Sequence, residues 1–299
     1  MKITGITVVR DEVDILRVSL LHHLALGCHE ILVLDNGSAD GTRSVLRELS
    51  RRHPIAWTAD DGPFRQAEMS TELAREATRA GADWVMPFDA DEFWWSSRGA
   101  LDAALAASSA GALRAPVVNF VQRRRQRRSS AGALAHMTWR ARAVRGSTSA
   151  RELVEAGEIA FVEIDYRPKH VARAADTIEI GKGNHAVSGV PGPIEETAAL
   201  VCLHAPLRSG AVLAAKAAMA PRVHEEHPDP GIAWQTKRWG RLAAEGRLDE
   251  EWAANSQAHG TLDVRGTSRP LTFDTTLRDV VKPWLSLPQR LRGWLLVSR

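Results

Sequence analysis

The chain has 299 residues, of which 44% are hydrophobic and 25% charged, a composition typical of one large globular domain or one domain with an appended lobe. The formal net charge of +3 is too small to indicate nucleic-acid binding. The two cysteines, Cys28 and Cys202, have neither metal-ligand nor redox spacing, which favours a reducing, cytoplasmic compartment. No apolar run is long enough to span a bilayer, and the first apolar stretch meets charged residues too early to indicate a secretory signal.

Short runs rich in β-branched residues recur through the first 120 residues and predict strands over 3–9, 30–34, 55–58, 83–88 and 113–120. Between the first four runs, apolar residues recur with helical period and predict helices over 14–26, 42–52 and 66–80. Alternating strands and helices predict an α/β fold with a mostly parallel sheet and right-handed crossovers.

Acidic residues follow each of the first four predicted strands: Asp11 and Glu12, Asp35, Asp60 and Asp61, then Asp89, Asp91 and Glu92. In an open parallel sheet these positions lie at the carboxyl edge, where ligands bind. Carboxylates gathered there repel one another unless a cation or hydroxyl donors accompany them. We therefore expect a ribose and a divalent cation at this edge. Each acidic group taken alone is better explained by an ordinary turn or helix cap, whereas four consecutive acidic strand ends favour a ligand site.

The segment Asp89-Ala90-Asp91 follows the fourth strand, and its spacing lets both carboxylates face the same crevice. Mg²⁺ and Mn²⁺ take oxygen ligands, commonly one or two carboxylates together with substrate phosphates. A cation bridging a diphosphate neutralises the charge that builds on a departing nucleotide. The segment therefore predicts a metal-dependent site for a diphosphate-bearing substrate.

Three motifs in residues 1–95 resemble those of the family 2 glycosyltransferases. The run from Asp35 to Thr42 is similar to the family's Asp-rich, Gly-Ser-x-Asp-Gly-Thr turn. The opening Thr7–Glu12 stretch resembles its first strand and Asn-Glu pair, with Asp11 in place of the asparagine. The run from Asp89 to Trp94 looks like the metal-binding motif of one bacterial branch.

The resemblance implies a GT-A type fold, with a nucleotide-sugar-binding half over 1–120, an acceptor-side half over 121–225 and a helical extension over 226–299. It also implies transfer of a sugar from a nucleotide-sugar donor to an acceptor hydroxyl, with inversion at the anomeric carbon. Asp35 would hold the base or ribose, Asp61 would lie beside the base, Asp89 would contact ribose or metal, and Asp91 would bind the metal. The donor site is expected to include further Val9, Arg10, Glu12, Asn36, Arg65 and Ala90.

The second half adds candidates that resemble C-terminal elements of the same branch. His204 ends an apolar run and is predicted to complete the metal shell as a neutral imidazole, although a strand-end histidine bonded to backbone fits equally. His185, in a Gly-Asn-His turn, is a candidate catalytic base, or a turn histidine without chemistry. Asp165, Glu195 and Glu196 are alternative bases. Arg208 and Lys216 are expected on the diphosphate, or as solvated charges flanking a helix that starts near Ser209.

Residues 123–128 are rich in arginine, which predicts a charged loop. The loop is expected to be solvated, to dock weakly on an anionic membrane face or to contact a phosphorylated or lipid-linked acceptor. Trp94 and Trp95 are expected either to pack in the core or to stack on a sugar ring. Helices are predicted over 211–220, 232–245 and 277–285, with a loop at 260–270. An amphipathic helix is predicted over 288–299.

Three other enzyme classes fit less well. Phosphatases with an Asp-x-Asp nucleophile place that pair after the first strand, whereas here it follows the fourth. Nucleotidyltransferases and dinucleotide dehydrogenases need glycines after the first strand, where this chain has Arg10, Asp11 and Glu12. A catalytically silent GT-A-like module that binds a sugar or nucleotide is the remaining alternative. The acceptor, whether glycan, lipid-linked or small molecule, is left open.

Overall fold

The structure is a computed structural model that describes residues 1–106, 108–146 and 148–285. Its strands are β1 (Ile3–Val9), β2 (Glu30–Asp35), β3 (Ile55–Ala59), β4 (Trp84–Pro87), β5 (Glu92–Ser96), β6 (Ala112–Ala115), β7 (Val117–Asn119), β8 (Trp139–Arg140), β9 (Lys169–Arg173), β10 (Glu179–Ile180), β11 (Val187–Ser188), β12 (Ile194–Glu196), β13 (Leu200–His204), β14 (Thr261–Val264), β15 (Thr267–Pro270) and β16 (Thr272–Phe273). Its α-helices are α1 (Leu16–Leu26), α2 (Thr42–Ser50), α3 (Gln66–Arg79), α4 (Leu101–Leu105), α5 (Ala150–Glu155), α6 (Gly210–Ala218), α7 (Ala220–Glu226), α8 (Trp234–Ala244), α9 (Leu248–Ala254) and α10 (Thr276–Leu285).

The chain forms two compact units that interleave along the sequence. The first unit contains residues 1–117, 167–204 and the described residues from 280 onward. The second unit contains residues 118–166 and 205–279. The predicted amphipathic helix over 288–299 lies outside the described residues.

The first unit is built on a seven-stranded sheet with the order β12-β6-β9-β4-β1-β2-β3. The pairs β4–β1, β1–β2, β2–β3 and β12–β6 are parallel. Strand β9 runs antiparallel to both of its neighbours, β4 and β6. The predicted α/β fold with a mostly parallel sheet flanked by helices is therefore confirmed.

Helix α3 covers one face of this sheet because its apolar stripe matches the alternation of the strands. Met69 and Leu73 of α3 are buried in the same cluster as Ile6 of β1, Leu34 of β2 and Val85 of β4. Burying a side chain of this size contributes about 1.5–3 kcal/mol. The helix therefore holds three parallel strands together, and their carboxyl ends form one edge.

The second unit has a separate core of helices and short strands. Trp239 of α8 and Trp252 of α9 are each 2% exposed and lie in one cluster with Leu262 of β14. Indole Nε1 of Trp239 donates to Glu251 Oε1 at 3.1 Å. The indole Nε1 of Trp252 donates to the Arg124 carbonyl at 2.7 Å. Both polar tips are thus satisfied inside the core.

The segment predicted as a loop over 260–270 is instead the antiparallel hairpin β14–β15. Leu262 and Val264 are buried while Asp263 between them is exposed, so the strand alternates over too few residues to stand out in the sequence. Its two central turn residues, Arg265 and Gly266, have φ of 51° and 78°. Positive φ at both positions is the geometry that matches the twist of a tight hairpin.

Candidate active site at the carboxyl edge of the sheet

Strand order brings the predicted strand-end residues to one edge. In the parallel register Val9 of β1 pairs with Asp35 of β2, and Asp35 pairs with Ala59 at the end of β3. Strand β4, which precedes Asp89, lies on the other side of β1. The four acidic strand ends therefore belong to neighbouring parallel strands, as the sequence pattern indicates.

Asp35 is fully buried at the end of β2. Its Oδ1 accepts hydrogen bonds from the Ser38 amide at 3.2 Å and from Arg43 Nε at 2.6 Å. Its Oδ2 is buried and has no partner among the described residues. A buried carboxylate oxygen without a donor is rare and unfavourable. Asp35 therefore offers an acceptor for an N–H or O–H group of a ligand.

Arg43, which the sequence analysis did not single out, links two predicted donor-binding residues. It bonds to Asp35 and also forms an ion pair with Asp61, whose side chain is 72% exposed. Its position at the second residue of α2 provided no sequence signal, because a surface arginine in a first helical turn is commonplace. Arg43 partly neutralises the acidic edge without a metal.

Arg10 and Asn36 brace the loops of this edge. The Arg10 guanidinium donates to the Asn36 carbonyl at 2.7 Å and to its side-chain oxygen, and it lies 5.3 Å from the centre of the Phe64 ring. The side-chain Nδ2 of Asn36 donates to the carbonyls of Asp60 at 2.8 Å and Gly62 at 3.0 Å. Both side chains are thus committed to contacts within the protein.

The other predicted donor-binding residues of the first half have different environments. The Val9 carbonyl accepts a hydrogen bond from the backbone N–H of Asn36 at 2.8 Å. The Glu12 carbonyl accepts one from the backbone N–H of Leu16, the first residue of α1, at 2.9 Å. Ala90 is buried. Arg65 pairs with Glu68 at 3.2 Å, and both side chains are more than half exposed.

Asp89 is held by three donors from distant parts of the chain. Its Oδ1 accepts from Gln66 Nε2 at 3.0 Å and from Asn184 Nδ2 at 3.1 Å. Its Oδ2 accepts from Lys169 Nζ at 3.0 Å. None of these three partners was predicted, although Asn184 lies in the Gly-Asn-His turn that was chosen for His185.

The Lys169 ammonium, 2% exposed, fills its three donor positions inside the protein. Besides Asp89 it contacts Glu92 Oε1 at 2.6 Å and the Gly183 carbonyl at 2.5 Å. Burial by itself lowers the pKa of Lys169, but the Asp89 and Glu92 carboxylates outweigh that effect and raise it above its usual value. Burial raises the pKa of Glu92, and the ammonium opposes this. One fixed cation thus stabilises two carboxylates.

Asp91 and His204 meet through the pairing of β5 with β13, in which Glu92 lies opposite His204. The His204 Nε2 atom is 3.8 Å from Asp91 Oδ1, and both residues are nearly buried. One carboxylate and one imidazole at this separation fit two ligands of a divalent cation whose other positions belong to phosphates and water. Within the described residues no group of three such ligands is assembled, and Asp89 is engaged by Lys169.

The surroundings of His185 are unfavourable for a general base. Its Nδ1 lies 3.4 Å from the Pro168 carbonyl. Burial, together with the nearby Lys169 ammonium, lowers the pKa of His185 to about 4. A base is most effective when its pKa lies near the working pH, so His185 is neutral but weakly basic. The catalytic role of His185 stays a prediction.

The alternative bases differ in setting. Asp165 of the second unit pairs with Arg145 at 3.0 Å. In the first unit Glu196 pairs with Arg114 at 2.7 Å, and Glu195 is exposed. These contacts do not single out one of the three carboxylates as the base.

Some of the predicted basic residues of the second unit are buried or paired within the protein. Arg208 is 2% exposed, and Lys216 is half-buried on α6. In the arginine-rich loop, Arg124 donates to the Ala253 carbonyl at 3.2 Å and Arg127 pairs with Asp249 at 2.9 Å. Part of that loop is therefore anchored to α9 and its surroundings.

Trp94 is fully buried, so its indole ring belongs to the core, whereas Trp95 is half-buried. No helix in the described ranges is long and apolar enough to cross a membrane.

No protein-family model matches the chain, and a search of curated proteins finds no match. Among solved structures the chain is similar to S. aureus TarS 1-349 in complex with UDP-GlcNAc, at 10% identity and a TM-score of 0.42, over 92% of this chain and 97% of that chain. TarS 1-349 in complex with UDP gives 12% identity and a TM-score of 0.40 over the same shares.

A putative glucose-1-phosphate thymidylyltransferase from Bacillus anthracis in complex with a sucrose is similar at 7% identity and a TM-score of 0.33, over 57% of this chain and 72% of that chain. Identities and scores this low carry no conclusion about the ligand or activity of the present chain.

Proposed function

We propose that the protein is a glycosyltransferase of the family 2, GT-A type, which transfers a sugar from a nucleotide-sugar donor to an acceptor hydroxyl. The observation that carries the proposal is the meeting of Asp91 and His204. Sequence motifs far apart in the chain predict both as metal ligands, and their side chains lie 3.8 Å apart at a nearly buried position.

The donor would bind along the acidic edge of the sheet. The Oδ2 of Asp35, which has no partner among the described residues, suits an N–H of a base or an O–H of a ribose, because a carboxylate only accepts. Arg43 and Lys169 already balance part of the negative charge there. A diphosphate is therefore favoured next to Asp91 and His204, where a divalent cation, Mn²⁺ or Mg²⁺, would supply the remaining charge.

A single displacement with inversion needs one base and no covalent enzyme intermediate. Asp91 and His204 would hold the cation, and Asp35 would orient the nucleoside. Arg208 and Lys216 remain proposed diphosphate contacts, and the acceptor and its base remain to be identified by experiment.

Isothermal titration of the purified protein with ADP, GDP, UDP and CDP, with and without Mn²⁺, tests this proposal. We expect one nucleotide to bind in a Mn²⁺-dependent manner and Asp91→Asn to abolish that dependence. Glu72→Gln is the matched control, because Glu72 is an exposed carboxylate of α3 away from the edge. If a folded wild-type sample binds none of the four nucleotides, the proposal is refuted.

A second candidate is a binding module without transferase activity, which is favoured by the pairing of Asp89 with Lys169 and by the lack of a group of three metal ligands within the described residues. It predicts nucleotide binding without turnover. Release of nucleoside diphosphate from a bound nucleotide sugar, followed by chromatography, distinguishes the two: the enzyme releases the diphosphate faster than the Asp91→Asn variant does, whereas a binding module shows no difference.

A further inference from the structure

The side-chain amide of Asn184 has a fixed orientation. Asn184 is 4% exposed, and its Nδ2 lies 3.1 Å from Asp89 Oδ1. A carboxylate can only accept, so the nitrogen of the amide must face Asp89 and the oxygen must face away from it. That oxygen, Oδ1, is buried and finds no partner in the described part of the chain.

The backbone presents Asn184 in an uncommon conformation. Gly183 and Asn184 have φ of 66° and 57°, in the left-handed region. Glycine adopts it freely, whereas other residues do so rarely, asparagine more readily than most. Residues held in such conformations concentrate at functional sites because the surrounding structure must impose them.

Several contacts impose this conformation on the turn. The Gly183 carbonyl accepts from Lys169 Nζ at 2.5 Å. The Gly183 amide donates to Gln66 Oε1 at 3.2 Å, and Gln66 Nε2 donates to Asp89 Oδ1 at 3.0 Å. The orientation of the Gln66 amide is thereby fixed as well. Asp89 thus stands at the centre of a rigid network in which Asn184 Oδ1 is a buried acceptor without a partner among the described residues.

The network can be reached by a ligand, since the Asp89 side chain is 29% exposed. A phosphate is disfavoured at the free oxygen because the Asp89 carboxylate lies beside it and the donors of Lys169 are already occupied. A neutral donor such as a hydroxyl satisfies the acceptor without adding charge.

We infer that Asn184 is a specificity-determining residue of the donor site, whose Oδ1 accepts a hydrogen bond from a substrate hydroxyl on either the ribose or the sugar. Lys169 and Gln66 are positioning residues that hold Asp89 and thereby Asn184. The inference rests on the proposed function, because it takes the ligand to be a nucleotide sugar.

A cycle that pairs protein variants with ligand variants tests this role. The variants are Asn184→Gly, which keeps the left-handed backbone and removes the oxygen, and Asn184→Ala as a second truncation. Glu72→Ala is the control, because Glu72 is an exposed side chain of α3 that makes no contact with this network. Thermal melting verifies that each variant is folded.

Two series of ligands separate the source of the hydroxyl. The first compares the nucleoside diphosphate that binds, from among ADP, GDP, UDP and CDP, with its 2′-deoxy and 3′-deoxy forms. The second compares the corresponding nucleotide glucose with its 2-deoxy and 3-deoxy sugars. Dissociation constants are measured by isothermal titration in the presence of Mn²⁺.

We expect one deoxy ligand to bind the wild-type protein and Glu72→Ala about tenfold more weakly than its parent, because a buried acceptor is then left unpaired. In Asn184→Gly and Asn184→Ala the parent and deoxy ligands should bind equally. Retention of the tenfold difference in these variants, or equal binding of every pair by the wild type, overturns the role of Asn184 while nucleotide binding stands. A wild-type protein that binds none of the ligands overturns the proposed function together with this inference.

Discussion

Replacing Lys169 with methionine would remove a buried cation from between two carboxylates. The ammonium contacts Asp89 at 3.0 Å and Glu92 at 2.6 Å. Methionine retains much of the lysine stem and can fill the same space, so the change is chiefly one of charge and hydrogen bonding.

The expected cost follows from the burial of the partners. Removing one partner of a buried ion pair destabilises a protein by about 3–5 kcal/mol, because the other charge stays buried without compensation. Glu92 is 2% exposed and meets this condition, whereas Asp89 is partly exposed and keeps two amide donors. We therefore expect the free energy of unfolding to fall by about 4 kcal/mol at pH 9, where Glu92 is ionised in the wild type.

The loss should shrink when the pH is lowered from 9 to 7. Burial raises the pKa of Glu92 to about 8, and the pKa should rise further when the ammonium is removed. A carboxyl whose pKa is higher in the folded than in the unfolded state binds more protons when folded, so its contribution to stability grows as the pH falls. The variant should therefore recover part of its stability relative to wild type on acidification.

Urea unfolding followed by tryptophan fluorescence measures both effects. Lys2→Met is the matched control, since Lys2 pairs with Glu30 at 2.9 Å and about a third of its side chain is exposed. Such a surface pair contributes about 1 kcal/mol or less. Equal, small losses in the two variants would refute the assignment of Lys169 as the buried centre of the network.

Three further perturbations follow from the same structure. Burial lowers the pKa of His22 to about 4, below its unfolded value of 6.5, so its contribution to stability is present above pH 6.5 and is lost as the pH falls. Urea unfolding should show that wild type loses about 2 kcal/mol more than His22→Gln between pH 7 and pH 5; identical profiles would contradict this. Gly5→Ala should lower stability by about 1–3 kcal/mol, because its new Cβ would lie 3.1–3.3 Å from three buried side chains; an unchanged melting temperature would argue against close packing there. Asp35→Asn should weaken nucleotide binding about tenfold in titration calorimetry by removing a charged acceptor. An unaltered affinity would show that the nucleoside does not contact Asp35 at the end of β2.

Most of the sheet could be predicted from local pattern. Strand β1 was predicted with its observed bounds, and the bounds of β2, β3 and β4 were predicted within two residues. These predictions were possible because strand composition and flanking turns depend on contiguous residues. The position of β9 between β4 and β6 could not be predicted. Its pairing joins residues far apart in the chain, and nothing within Lys169–Arg173 specifies either neighbour.

For the candidate site, the sequence by itself determined which residues stand at the carboxyl edge, since each follows a recognisable strand. It also indicated Asp91 and His204 as ligands. The tertiary structure decided that Asp89 is bound by Lys169, Gln66 and Asn184, and that the amide of Asn184 can face only one way. A lysine, a glutamine and an asparagine carry no individual signal in a sequence. Their chemistry depends on which carboxylate the fold places within hydrogen-bond distance, and that distance is a property of long-range packing.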